Sequence, residues 1–238
     1  MNHPVNDGAE QSTVRSFFRR FPPYAWMCFA AMFAVQMLVF SGTRVFLPYL
    51  PAHVLTTALD DAIPFVPQWV VIYFLAFVTW VVNGIWITSE SKPHGCRFAF
   101  SYILALLISA AVFLIYPGTM TRPELTGKGF IMDWMRFLYW IDSPTNLCPS
   151  LHVVISYFCW RGTIGCRRIP LWYKWFSFVF AVLVCFSILF VKQHALVDIP
   201  AALIVAELSL QLGRLLKIER IPLALDAFVQ NRKRRPSK

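Results

Sequence analysis

The sequence predicts an all-α fold, a polytopic membrane protein formed by a bundle of six transmembrane helices. Of its 238 residues, 58% are hydrophobic and 14% are charged, and the mean hydropathy is +0.57. These values lie outside the range of soluble globular domains. Six apolar runs approach the ~20 residues that a helix needs to cross a bilayer.

The first predicted span covers residues 24–43. Basic residues precede it, as in a signal peptide, but the run is long and more spans follow. We therefore interpret it as a retained first span, with a cleaved signal as the alternative. Arg161 limits the apolar length of the fourth span. The remaining predicted spans are 68–88, 98–116, 150–166, 172–191 and 196–215.

Lysine and arginine are distributed unevenly between the two sides of this bundle. If the N-terminus is cytoplasmic, 17 of the 22 basic residues lie on the cytoplasmic side. The positive-inside rule therefore predicts cytoplasmic N- and C-termini, and it accounts for the net charge of +10 without any nucleic acid. The segments on that side are 1–23, 89–97, 161–174 and 214–238.

The chain reads as one six-helix membrane domain, 24–215, between a cytoplasmic segment, 1–23, and a basic cytoplasmic tail, 216–238. The end of the tail, NRKRRPSK, favours anionic lipid headgroups. Six cysteines without a C-x-x-C pair predict neither a disulfide framework nor a zinc site.

Two long loops are predicted on the non-cytoplasmic side, 44–67 and 117–149. Apolar residues in the second loop recur at helical spacing and predict a short helix in the membrane interface, acting as a structural collar, with a substrate lid as the alternative. These residues are Phe130, Ile131, Trp134, Leu138 and Ile141.

Three segments bring polar residues to that side. In "FVKQHALVDIPAALIVAE" (190–207), His194 and Asp198 are four residues apart. On a helix the Asp198 carboxylate would accept a hydrogen bond from one ring nitrogen and orient the other nitrogen outward. Lys192 adds a positive charge beside them.

The second segment is "NLCPSLHVV" (146–154), at the start of the fourth span. Pro149 suits a first helical position, so we expect the free N–H groups of the next turn and the Ser150 hydroxyl to bind an anion. His152 lies in that turn. The third segment, "YPGTMTRPEL" (116–125), supplies Arg122, whose planar guanidinium matches phosphate or carboxylate oxygens.

This set of residues suits phosphoryl transfer. Arg122, Lys192 and the helix start would hold the negative charge, while a neutral imidazole attacks phosphorus. A second, protonated imidazole would protonate the leaving alcohol and then deprotonate the incoming water or alcohol. His194 and His152 fit these two roles.

The three segments resemble the type-2 phosphatidic acid phosphatase superfamily of integral-membrane lipid phosphatases and phosphotransferases. Its Arg-Pro, Pro-Ser-x-His and His-x-x-x-Asp motifs match here in order. The resemblance implies a six-helix core in which His194 forms a phosphohistidine, Asp198 orients it and His152 is the general acid and base. It also implies that Arg122 and Ser150 bind the phosphate.

The sequence departs from that family at two cationic positions. The family's first motif usually has a lysine where this chain has Ile115, and its third has an arginine where this chain has Ile188, after a matching Ser187. Lys192 is the better substitute and Lys128 a weaker one. A reduced cationic set resembles the sphingolipid synthases of the superfamily, so headgroup transfer to an alcohol is an open alternative.

Three other interpretations compete. The His and Asp residues could form a structural pair, or they could bind a metal, although Arg122 and Lys192 would repel a divalent cation. The chain could be a transporter, and Glu207, deep in the last span, could then be one end of a polar path or a hydrogen-bonded core group.

We expect a metal-independent and cofactor-independent membrane enzyme that hydrolyses a phosphomonoester or pyrophosphate of a lipid at the non-cytoplasmic face. Its expected partners are the phosphorylated lipid and the bilayer, with no nucleic acid. Because the site is expected at the depth of the lipid headgroups, we expect the substrate to enter sideways from the bilayer.

Overall fold

Apolar runs form helices throughout the structure, a computed structural model that describes residues 21–222. The tail from 223 and residues 1–20 of the N-terminal segment lie outside the described residues. Within 21–222 the helices are α1 (Pro23–Phe46), α2 (Ala58–Ala62), α3 (Val70–Thr88), α4 (Lys92–Ile115), α5 (Phe130–Ile141), α6 (Leu151–Ile164), α7 (Leu171–Phe190) and α8 (Asp198–Leu215).

Within the part of the chain that the structure describes, five helices are long and apolar enough to cross a membrane. The fourth predicted span is present as α6, but its 14 residues extend only about 21 Å, against about 30 Å for a hydrocarbon core. Five candidate spans are therefore found where six were predicted. They are Pro23–Tyr49, Pro67–Thr88, Lys92–Ile115, Leu171–Phe190 and Asp198–Pro222.

The short helix α6 is the centre of the bundle. It packs against α3, α4, α7 and α8, and ten of its fourteen residues are buried. The surrounding helices carry many exposed large apolar side chains, such as Phe33, Val78 and Ile204. A soluble monomer rarely exposes so much apolar surface, whereas a lipid-facing bundle does.

Helix α4 begins six residues earlier than its predicted span. The side chain of Ser91 accepts a hydrogen bond from the His94 N–H at 3.3 Å, and Pro93 lies in the first helical turn. Both features are common at helix starts, so local capping extends the helix beyond its apolar run.

The helix predicted in the second loop is present as α5, which runs from the first to the last of the five apolar residues that predicted it. Met135 and Leu138 are fully buried, and α5 packs against α3. The middle of the apolar stripe, at Leu138, therefore faces the bundle, whereas Phe130 at the start of α5 is exposed.

Three loops meet at the end of the bundle where α4 and α7 finish and α6 and α8 begin. Strand β1 (His53–Val54) pairs in parallel with β2 (Gly118–Thr119), joining the two long loops. The Leu196 N–H donates to Asp60 Oδ1 at 2.6 Å, joining the first loop to the turn before α8. This end holds the candidate site.

Glu207 lies near the middle of α8 and is hydrogen bonded. Its carboxylate accepts from Tyr157 at 2.8 Å, from Arg161 at 3.2 Å and from Gln211 at 2.5 Å. Its side chain is 34% exposed, so it is a hydrogen-bonded group at the margin of the bundle and not a core residue.

Candidate active site

His194 and Asp198 are in contact, but not on one helix face as predicted. Nδ1 of His194 lies 3.0 Å from Asp198 Oδ2, while His194 itself precedes α8, which begins at Asp198. The expectation of a helical pair was wrong because this turn is closed by other bonds. The Ala195 N–H donates to the same carboxylate oxygen at 3.0 Å.

The environment of His194 determines which ring nitrogen carries the proton. Nδ1 lies 3.0 Å from the carbonyl oxygen of Leu147 as well as from Asp198 Oδ2. Both neighbours are acceptors, so Nδ1 must donate, and the neutral ring has its lone pair on Nε2. An imidazole in this tautomer can act as a nucleophile through Nε2.

A cavity of about 420 Å³ adjoins this ring. His194, Arg122 and Lys192 all line it, so three of the predicted residues share one open space. Asp60 and Asp61 also line the cavity. The Asp60 carboxylate is already occupied, because the N–H groups of Leu196 and Thr57 donate to it.

These bonds also determine the charge of Asp60. Burial alone would raise the pKa of this carboxyl group. Hydrogen bonds from Leu196 and Thr57, together with the positive charge of Lys192, outweigh burial and hold the pKa below its usual value. Asp60 is therefore ionised at neutral pH and contributes a negative charge near Lys192.

Arg122 is fixed by contacts on several sides. Its Nη1 donates to the Asp142 carbonyl at 2.7 Å, and its Nη2 donates to Gln193 Oε1. The guanidinium carbon lies 4.5 Å from the centre of the Tyr139 ring. Its Nε has no partner among the described residues, which leaves one buried N–H for a ligand oxygen.

Lys192 is held from the side of the first loop. Its Nζ donates to the carbonyl oxygens of Asp60 at 2.7 Å and Ile63 at 2.5 Å. An ammonium group has three N–H donors, so one is left for a bound anion. Lys128, the other proposed substitute for a family cation, is exposed and does not line this cavity.

The second histidine, His152, is buried on the other side of His194. The centres of the two rings are 5.9 Å apart. Tyr73 and Trp80 pack beside His152, with ring centres at 4.2 and 5.2 Å. His152 lines a separate, mainly apolar cavity of about 170 Å³, together with Phe77 and Met37.

Ser150 lies between the two histidine segments. It is the N-cap of α6, and α6 begins at Leu151, so the prediction that Pro149 occupies the first helical position was wrong. The Cys148–Pro149 peptide bond is cis. Ser150 is fully buried, and its amide lies 3.4 Å from the Asp198 carbonyl, so the starts of α6 and α8 adjoin.

Unsatisfied polar atoms concentrate in this region. In a folded interior nearly every buried polar atom has a hydrogen-bond partner, so a cluster without partners suggests a position for a ligand. Within residues 21–222, the atoms of this cluster are Arg122 Nε, Ser150 Oγ, His152 Nε2, Ser187 Oγ, Gln193 Nε2 and Asp198 Oδ1.

Two contributors were missed from the sequence. Gln193, 2% exposed, anchors Arg122. Asp142 contributes through its carbonyl, and its carboxylate accepts from the Tyr73 hydroxyl at 2.8 Å. Gln193 could have been found from the sequence because it lies between Lys192 and His194. The carbonyl of Asp142 could not, because a backbone carbonyl has no sequence signature.

At two positions the resembled superfamily usually has a cationic residue, whereas this chain has isoleucine. Ile188 is fully buried in α7, and Ile115 is 82% exposed at the end of α4.

Within residues 21–222, no three His, Cys, Asp or Glu residues are grouped so that they could hold a metal ion.

No family model matches this chain, and neither does any curated protein or any solved structure.

Proposed function

We propose that this protein is a membrane lipid phosphatase that hydrolyses a phosphomonoester or pyrophosphate of a lipid through a phosphohistidine on His194. One observation carries the proposal: His194, with its proton held on Nδ1, adjoins a cavity that also contains Arg122 and Lys192. An oriented nucleophile next to fixed positive charges is what attack on a phosphoryl group requires.

The proposed reaction has two steps. Nε2 of His194 attacks phosphorus, the bond from phosphorus to the lipid oxygen breaks, and protonated His152 gives its proton to the leaving alcohol. Water then attacks the phosphohistidine, His152 takes the proton of that water, the phosphorus–nitrogen bond breaks and phosphate leaves. The 5.9 Å between the ring centres makes the two histidines neighbours, so both could act on one substrate.

The apolar cavity beside His152 supports a lipid as the leaving group. In an in-line displacement the leaving group is opposite the nucleophile, so it would lie on the His152 side. That cavity shares Met37, Phe77 and Trp80 with a neighbouring apolar cavity of about 140 Å³. Phe33, which lines the second cavity, is 49% exposed, so the pair opens toward the bilayer side of α1.

The proposal includes the membrane arrangement. We propose that α6 completes a sixth crossing, that both termini are cytoplasmic and that the histidines lie on the non-cytoplasmic side. The distribution of 17 basic residues against five supports this orientation.

Transfer of a phospho-headgroup to an alcohol is the second candidate function. The cavity of about 420 Å³ supports it, because it is larger than a single phosphate group requires and can accept a headgroup. Water and alcohol would use the same His152 base, so the two activities differ in the acceptor that reaches the phosphohistidine.

The deciding experiment uses the purified full-length protein in detergent with a panel of phosphorylated lipids, with and without an alcohol acceptor. We expect hydrolysis or transfer that falls by about 1,000-fold or more in His194→Ala and in His152→Ala. The control is His53→Ala, an exposed histidine outside the cavity, which should retain activity.

Full activity in His194→Ala or His152→Ala defeats the proposal. Absence of phosphorylated protein after rapid quenching with radiolabelled substrate would also contradict the covalent step. Loss of activity with a chelator, restored by zinc, would favour a metal site instead.

A further inference from the structure

A second polar cavity lies at the opposite end of the bundle, between α4, α6 and α8. Its volume is about 130 Å³. Asp198 and Arg214 are the first and seventeenth residues of α8, about 24 Å apart along the helix axis, so this cavity is remote from the histidines. Its polar lining consists of His94, Arg97, Ser101, Arg161 and Arg214.

The cavity has more positive than negative charge around it. Arg161 forms a two-point contact with Glu207, with both N–O distances at 3.2 Å. Arg97 is 3.7 Å from Glu219, a long ion pair. The Arg214 guanidinium has no hydrogen-bond or ionic partner within residues 21–222, so three guanidinium groups face two carboxylates.

Ser101 gives an independent indication of a ligand. It is 1% exposed, it lines this cavity, and its hydroxyl has no partner among the described residues. It lies four residues beyond Arg97, on the same face of α4 one turn further into the bundle. A buried hydroxyl without a hydrogen bond is costly, and a ligand oxygen would remove that cost.

Glycines allow this arrangement. A side chain at Gly213 would overlap the Ser101 hydroxyl, and one at Gly165 would lie 2.7 Å from His94 Cε1. The absence of side chains at these two positions brings α8 and the end of α6 close to α4. Arginines that only reached toward headgroups would need neither this close packing nor the buried hydroxyl.

We propose that this cavity binds a phosphate-bearing anion, either the headgroup of an anionic phospholipid in the adjacent leaflet or free phosphate. Its volume suits one phosphate group. Arginines supply charge-assisted hydrogen bonds at the mouth, and Ser101 supplies a hydroxyl at the base. The site is independent of the proposed catalytic function.

The test uses the purified full-length protein in nanodiscs of phosphatidylcholine alone or with phosphatidylglycerol. Native mass spectrometry counts the phosphatidylglycerol retained across a titration of its content. In a second arm, inorganic phosphate is titrated into phosphatidylcholine nanodiscs and the unfolding temperature is recorded. The variants are Arg97→Gln, Ser101→Ala and Arg214→Gln, and the matched control is Arg167→Gln, an exposed arginine near the same end that does not line the cavity.

Each cavity variant should weaken binding by about three- to tenfold, and the control should not. Retention of phosphatidylglycerol alone identifies a headgroup, and stabilisation by phosphate alone identifies the free ion. Arg214 is exposed at a helix end, so Arg214→Gln will fold even if Ser101→Ala does not. Binding by neither probe, or equal binding in Arg214→Gln and Arg167→Gln, overturns the proposal.

Discussion

At the scale of single residues, Arg122 is positioned before any substrate arrives. The Asp142 carbonyl and Gln193 Oε1 hold its two terminal nitrogens, and the Tyr139 ring covers one face. A guanidinium fixed in this way loses little freedom when it binds phosphate. Gln193 is thus a positioning residue, acting through Arg122.

Replacing Gln193 by leucine tests this role. Gln193→Leu keeps the side-chain size but removes the acceptor, so Arg122 loses one anchor. Because the proposed function has Arg122 contact the phosphate in the ground state, we expect KM to rise by about tenfold with a smaller fall in kcat. Steady-state kinetics on the best lipid phosphate measure both. Gln68→Leu, an exposed glutamine, is the control; an unchanged KM in Gln193→Leu would show that this anchor is unimportant.

The sequence indicated the ionisable residues of this site better than the groups that hold them in position. His152, His194 and Arg122 stand out because such residues are unexpected beside apolar runs. The carbonyls of Leu147 and Asp142 have no sequence signature, since every residue has a backbone carbonyl. The placement of His194 was wrong for a related reason, because Asp198 accepts from the Ala195 N–H at the helix start and leaves His194 in a turn.

At the scale of elements, the pattern of apolar residues in a helix shows which sides are buried, but not whether the helix is long enough to cross a membrane. The stripe in α5 was clear, and the helix begins and ends at the first and last residues of that stripe. In α6 nearly every side is covered by other helices, and its composition gives no measure of how far it extends. A helix buried on all sides needs apolar residues whatever its length, which is why a 14-residue helix was predicted as a span.

The junction of α3 and α4 depends on one glycine. A side chain at Gly95 would overlap the backbone carbonyl of Thr88, which cannot move without shifting the end of α3. We expect Gly95→Ala to destabilise the protein by about 1–3 kcal/mol, the usual cost of overpacking. Thermal unfolding in detergent measures the change.

Gly42→Ala is the matched control for this prediction. Gly42 also lies in a helix, α1, and the nearest atom to an added side chain is 3.8 Å away. Alanine stabilises a helix by up to about 1 kcal/mol relative to glycine, so Gly42→Ala should be neutral or stabilising. Equal unfolding temperatures for the two variants would show that the α3–α4 junction adapts to the added methyl group.

At the scale of the whole molecule, the two polar ends of the bundle differ in charge and construction. One end joins three loops over the histidines, and the other presents arginines from three helices around a smaller cavity. Apolar surface separates them along α1, α3 and α7. The direction of the molecule in a membrane therefore decides which compartment each site faces.

Labelling from each side of a sealed membrane decides whether α6 crosses. We would place single cysteines at Thr126, in the loop before α5, and at Arg167, after α6, in a chain whose six native cysteines are replaced; both positions are exposed. If α6 crosses, an impermeant maleimide reaches the two cysteines from opposite sides, with Arg167→Cys on the cytoplasmic side. The helix is shorter than the bilayer core, so a crossing requires local thinning, which costs fractions of a kcal/mol per ångström. Labelling of both cysteines from the same side would contradict a crossing by α6.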